Sequence, residues 1–133
     1  MAEFPRLLHT VIDTTDVRGL AEFYRELLGL TYRPGDETPT EGEDWLVLRD
    51  GSDRNVLAFQ LVDRLERTTW PDPDVPMQLH LDFTVSGTEE LERQRARAVE
   101  LGATVIMDRS DDPDEPLRVY ADLAGHPFCL FVG

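Results

Sequence analysis

The feature that most constrains this chain is an internal repeat. Near its N-terminus the chain reads RLLHTVIDTTDVRGLAEFYRELLGL, and later QLHLDFTVSGTEELERQRARAVELGA. Each copy holds Leu-His in a strand-like run, followed by a polar break, an amphipathic helix and a Leu-Gly stop. His9 lies twenty residues before Gly29, and His80 lies twenty-two before Gly102. Self-similarity of this size marks one supersecondary unit used twice. The expectation is an α+β chain of two like modules, with a histidine at the same place in each.

The order of elements follows from local pattern. Leu7 to Asp13, rich in Val, Ile and Thr, reads as a strand. Thr14, Thr15 and Asp16 offer N-cap chemistry. Val17, Leu20, Ala21, Tyr24, Leu27 and Leu28 recur on one helical face, and Gly29 suits the left-handed residue that ends a helix. Strands are expected over Leu30–Arg33, Trp45–Arg49 and Val56–Val62, with a turn at Asp50–Asp53. Module one thus spans 6–62. Residues 63–76 hold Pro71, Pro73 and Pro76 and read as a linker. Module two, 77–133, repeats the plan. A strand runs from Met77 to Val85, and Ser86 and Glu89 have capping-box spacing before a helix over Thr88–Leu101. Strands follow at Ala103–Met107, Leu117–Asp122 and Pro127–Val132, with a turn at Asp122–Gly125. The total is βαβββ twice.

Composition removes several classes of function. The formal net charge is −14, which opposes nucleic-acid binding, since phosphate contacts need clustered Lys and Arg. No apolar run approaches the roughly 18 residues that cross a bilayer, and no basic-then-apolar leader opens the chain. The single Cys129 has no internal disulfide partner and agrees with a reducing, cytoplasmic setting. No phosphate loop, dinucleotide fingerprint or nucleophile elbow is present.

Strand alternation indicates where chemistry can sit. From Met77 to Val85 the odd positions are apolar, whereas the even ones are Gln78, His80, Asp82 and Thr84. In the fourth strand Gln60 opposes the apolar Leu57, Phe59 and Leu61. In the last strand Cys129 and Phe131 oppose Phe128, Leu130 and Val132. Four lone-pair donors thus fall into two pairs, His9 with His80 and Gln60 (Phe-Gln-Leu) with Cys129 (Phe-Cys-Leu). Asp82, on the face of His80, is a candidate base or a partner to a histidine. Trp45, Trp70, Tyr120 and Phe131 are candidate walls of a small-molecule pocket, with His126 at its rim. Phe59 falls on the helix-facing side.

The stretches LLHTVIDTTDVRGLAEFYRELLGL, LHLDFTV and YADLAGHPFCLFVG resemble the vicinal oxygen chelate superfamily, which includes glyoxalase I, bleomycin-resistance proteins, fosfomycin-resistance enzymes and extradiol dioxygenases. The resemblance covers essentially the whole chain, and the last stretch is similar to bacterial glyoxalase-like domains. It implies paired βαβββ modules that curl into a cleft, often in a homodimer. It also implies a divalent ion (Zn, Ni, Mn or Fe) that binds substrate oxygens as a Lewis acid. The ligand positions of that pattern map onto His9, Gln60, His80 and Cys129. Glyoxalase I-type enzymes usually carry carboxylates at the last positions of each module, and Gln60 cannot remove a proton. Two functions stay open. One is a metal-dependent lyase or dioxygenase-type enzyme acting on a small oxygenated metabolite. The other is a metal-free protein that sequesters an antibiotic-like aromatic or cationic compound.

Overall fold

The computed structural model describes residues 4–133. They form two compact units, one ending at Leu65 and the other beginning at Glu66, and both follow the βαβββ plan.

In the first unit, β1 (Thr10–Thr14) leads into α1 (Val17–Leu28), followed by β2 (Thr31–Tyr32), β3 (Trp45–Arg49) and β4 (Asn55–Leu61). The sheet order is β1-β4-β3-β2. β1 runs parallel to β4, while β3 is antiparallel to both β4 and β2. Parallel neighbours need a crossover between them, and α1 lies within it. Asp16 caps the helix by accepting from the Gly19 N–H at 3.0 Å. Gly29 closes it at φ 68°, ψ 38°, a left-handed conformation that glycine adopts without a Cβ penalty. The apolar stripe of α1 buries Leu20, Ala21, Tyr24 and Leu27 beside Leu46, Leu48, Leu57 and Phe59. Tyr24 stacks on Phe59 with ring centroids 6.0 Å apart, so Phe59 is core, as its parity implies. Leu61 departs from that face and is 41 % exposed, because it ends the strand beyond the cover of α1. Outside the sheet, Arg18 donates to Glu43 at 2.7 Å and to the Asp36 carbonyl at 2.9 Å, which fastens the acidic 34–44 loop to the helix.

The second unit repeats the plan with β5 (Leu81–Val85), α2 (Thr88–Glu100), β6 (Thr104–Arg109), β7 (Leu117–Ala121) and β8 (Pro127–Val132), in the order β5-β8-β7-β6. Phe128 and Leu130 are buried, as are Leu91 and Ala98 of the more polar α2. Tyr120 stacks on Phe128 at 5.0 Å.

Three local expectations need correction. The strand expected from Met77 begins only at Leu81, whose partner is Phe128. The next pair would bring in Pro127, which has no N–H to donate. Likewise β1 begins at Thr10, three residues later than expected. Each histidine is therefore the residue immediately before its module's first strand. The expected capping box does not form either. The cap of α2 is Gly87, with no side-chain hydrogen bond, because Ser86 lies one residue too early to reach the first turn.

Part of the expected linker is fastened down. The Thr68 N–H donates to the Gly125 carbonyl at 3.0 Å, and Arg67 donates to the carbonyls of Leu123 and Asp122 at 3.0 and 3.3 Å.

Candidate functional site

The turn before β8 organises the second unit's polar face. Asp122, fully buried, accepts the backbone N–H groups of Ala124 and His126 on one carboxylate oxygen at 2.9 and 3.0 Å. Its own carbonyl accepts from the Gly125 N–H at 2.9 Å. The expected Asp122–Gly125 turn is thus reinforced by its first side chain, and it fixes where β8 starts. His126 serves this turn through its backbone, and its side chain is half-buried.

From that start, the parallel register of β8 on β5 pairs Cys129 with Asp82. Paired residues of neighbouring strands share a face, and His80 precedes Asp82 by one two-residue period. The outcome is a cluster. His80 Nε2 lies 3.3 Å from Asp82 Oδ1, and ligand atoms of His80, Asp82 and Cys129 all lie within 4.8 Å of one another. His80 and Asp82 are exposed, while Cys129 is half-buried. Burial pushes the Cys129 thiol up to about 11, and the Asp82 carboxylate adds to the rise by accepting its proton and by its charge.

The donors fit a divalent ion. Around a tetrahedral ion with bonds of about 2.0–2.3 Å, ligand atoms sit roughly 3.3–3.7 Å apart. The 3.3 Å between His80 and Asp82 already matches one edge, and half-exposed side chains can close the rest by rotamer adjustment. With Cys129 ionised, a carboxylate and a thiolate balance the charge of the ion. One imidazole, one carboxylate and one thiolate are donor types that would hold such an ion.

The other candidates are placed differently. His9 and Gln60 belong to the first unit. Gln60 pairs with Asp13, whereas His9 precedes Thr10, the partner of Leu57, so Gln60 is not level with His9 along the sheet. Counted from the two histidines, the residue equivalent to Cys129 is Ala58, the partner of Val11. The matching of Phe-Gln-Leu with Phe-Cys-Leu is thus out of register by two residues. His9 instead meets Asn55, whose Nδ2 lies 3.2 Å from His9 Nδ1, and the ring of Trp45, with centroids 6.0 Å apart. Trp45 is half-buried beside it. Trp70 and Phe131 are half-buried as well. Tyr120 is not a wall. It is fully buried in the stack with Phe128, because its parity on β7 turns it to the core.

Sequence reasoning missed Asn55 altogether and offered Asp82 as a base or a partner to a histidine, not as a neighbour of the thiol. The signal for Asp82 was the i, i+2 spacing of His-Leu-Asp, but its closeness to Cys129 depends on a long-range register.

The comparisons with known proteins agree with this architecture. The family model described as a glyoxalase-like domain matches residues 9–131. Solved structures with the same fold include a glyoxalase/bleomycin resistance protein/dioxygenase family enzyme from Burkholderia phytofirmans, 16% identical, covering 94% of this chain and 96% of that one at TM-score 0.68. The fosfomycin resistance protein FosX from Mesorhizobium loti is 17% identical, with 98% and 94% covered and TM-score 0.68. A mutant of FosX from Listeria monocytogenes, in complex with Mn(II) and a dihydroxypropylphosphonic acid, is 19% identical, with 98% and 94% covered and TM-score 0.69. No curated protein sequence matches the chain. Over nearly its whole length, then, this chain belongs to the glyoxalase-like domain family.

Proposed function

We propose that the protein is a metal-dependent enzyme of lyase or dioxygenase type that acts on a small oxygenated metabolite. Its divalent ion is held by His80, Asp82 and Cys129. The observation that carries this reading is the meeting of three different donor types within 4.8 Å. A divalent ion in that position supplies Lewis acidity toward substrate oxygens. His80 contributes a neutral nitrogen, and Asp82 and Cys129 supply the compensating negative charge. Asp82 is accordingly a ligand and not the free base of the reaction. Because the Cys129 proton must leave when metal binds, affinity rises with pH.

Cobalt substitution tests the ligand set. Co²⁺ added to metal-free protein is expected to give a near-ultraviolet thiolate-to-cobalt charge-transfer band that Cys129→Ser abolishes. Visible cobalt bands without that charge transfer would remove Cys129 from the set.

A second reading is metal-free sequestration of an aromatic or cationic compound. It is supported by the half-buried Trp45 beside His9 and by the net charge of −14. Ligand quenching of tryptophan fluorescence that is indifferent to added metal would favour it. Both readings take the protein as a cytoplasmic homodimer. The compartment is supported by the lone free thiol. The dimer is supported by β1 and β5, each the outer strand of its own sheet, and light scattering at several concentrations tests it. Among the described residues no helix is long and apolar enough to cross a membrane.

A further inference from the structure

We infer that His9 is not a metal ligand but a hydrogen-bond donor. It presents Nε2–H to an acceptor oxygen, a carbonyl or carboxylate borne by a planar group that lies against Trp45. The inference rests on a chain of three side chains in the first unit and stands whether or not the second unit binds metal.

Arg49 Nε lies 2.9 Å from Asn55 Oδ1. A guanidinium nitrogen can only donate, so this contact fixes which end of the Asn55 amide is oxygen. The Asn55 NH₂ therefore faces His9, and its Nδ2 lies 3.2 Å from His9 Nδ1. Since an amide NH₂ has no lone pair to offer, His9 Nδ1 must accept, and the neutral ring carries its proton on Nε2. Histidines that bind a metal through Nε2 show the reverse arrangement, in which Nδ1–H donates to a carboxylate or carbonyl. Here the second partner is a donor, which leaves Nε2 without the lone pair that coordination needs.

The surroundings say what such an N–H serves. His9 is half-buried, so its N–H is partly shielded from water but reachable. The ring of Trp45 stands 6.0 Å from the imidazole at an interplanar angle of 53°, which sets an aromatic ring beside the His9 donor. That combination suits a planar ligand with one acceptor oxygen. Asn55 and Arg49 are positioning residues, since they act only through the His9 ring.

Long-range ¹H–¹⁵N correlation spectra of the metal-free full chain, with the imidazoles neutral, read the tautomer directly. His9 is expected to carry its proton on Nε2 in the wild type. Asn55→Asp, which replaces the donor by an acceptor, should move that proton to Nδ1. Arg49→Met, which releases the Asn55 amide, should give a mixture, and this variant decides the matter should Asn55→Asp fail to fold. A wild-type proton on Nδ1, or a tautomer indifferent to both variants, would overturn the inference. Zn²⁺ should then shift the ring nitrogens of His80 and leave the Nε2–H of His9 in place. Loss of that proton on zinc addition would make His9 a ligand after all. Benzoate, a ring bearing a carboxylate, should shift the His9 Nε2–H and quench tryptophan fluorescence. Absence of both effects would overturn the assigned ligand class.

Discussion

His80 Nε2 stands 3.3 Å from Asp82 Oδ1, and Asp82 is the register partner of Cys129 across the parallel β5–β8 pair. The carboxylate therefore sits between an imidazole and a thiol. Toward the imidazole it lies at the spacing of neighbouring ligand atoms around one ion. Toward the thiol it is a negative charge that opposes ionisation. One residue thereby stands beside both other donors and restrains the sulfur until a cation arrives.

Asp82→Asn is expected to lower the Cys129 thiol from about 11 toward the ordinary range, although burial, the larger cause, will hold part of the rise. The pH profile of alkylation by iodoacetamide measures this, and its midpoint should shift to lower pH in the variant. A stability consequence has a definite sign. The folded thiol holds its proton more tightly than the unfolded one, whose value is 9.0. This contribution is complete below about 9 and is lost as pH rises through about 11. Cys129→Ala should reduce the alkaline decline in melting temperature over that interval.

Two core substitutions should differ sharply in their cost. Phe59→Ala removes a fully buried ring that stacks on Tyr24, and its cost is about 3–5 kcal/mol in urea unfolding. The hydroxyl of Tyr120 is buried with no hydrogen-bond partner among the described residues. Tyr120→Phe removes that desolvated hydroxyl but also its interaction with the buried Arg118 guanidinium, so it should change stability by no more than about 1 kcal/mol. It should also leave ligand binding unchanged, since Tyr120 belongs to the core and not to a pocket.

Gly125 and Gly29 both hold left-handed backbone, at φ 89° and 68°, yet they should respond differently to alanine. A Cβ at Gly29 would meet nothing within 4 Å, so Gly29→Ala carries only the conformational penalty of about 1 kcal/mol. A Cβ at Gly125 would lie 2.8 Å from the Arg67 Cα. Gly125→Ala should therefore cost more than Gly29→Ala in thermal unfolding. It should also free the Arg67–Thr68 segment, visible as faster amide exchange at Thr68.

Much of the fold was legible because its determinants are local. The helical stripe from Val17 to Leu28 and the strand Trp45–Arg49 need only their own periodicity, and Gly29 only its own conformation. The errors lie where pairing decides. Met77–Leu79 alternates correctly for a strand, but its neighbour would have to come from beyond Pro127, where the chain is turning. The candidate site was legible as single residues and not as a constellation. His80 and Cys129 were marked as lone-pair donors, and Asp82 as a companion on the same face. Their convergence depends on the register that Asp122 sets by anchoring the turn before β8. The pairing of Gln60 with Cys129 failed for the same reason. Similar tripeptides at two strand ends do not reveal a two-residue difference in where the parallel partner begins.

The most direct test of the central claim is metal stoichiometry by elemental mass spectrometry on tag-free protein. The wild type should be loaded separately with Zn²⁺, Ni²⁺, Mn²⁺ and Fe²⁺ and dialysed, beside His80→Ala, Asp82→Ala and His9→Ala. The account predicts near one equivalent of at least one metal in the wild type and in His9→Ala, and loss of it in His80→Ala and Asp82→Ala. Wild-type protein that retains none of the four metals, or a site that survives loss of His80, would contradict it.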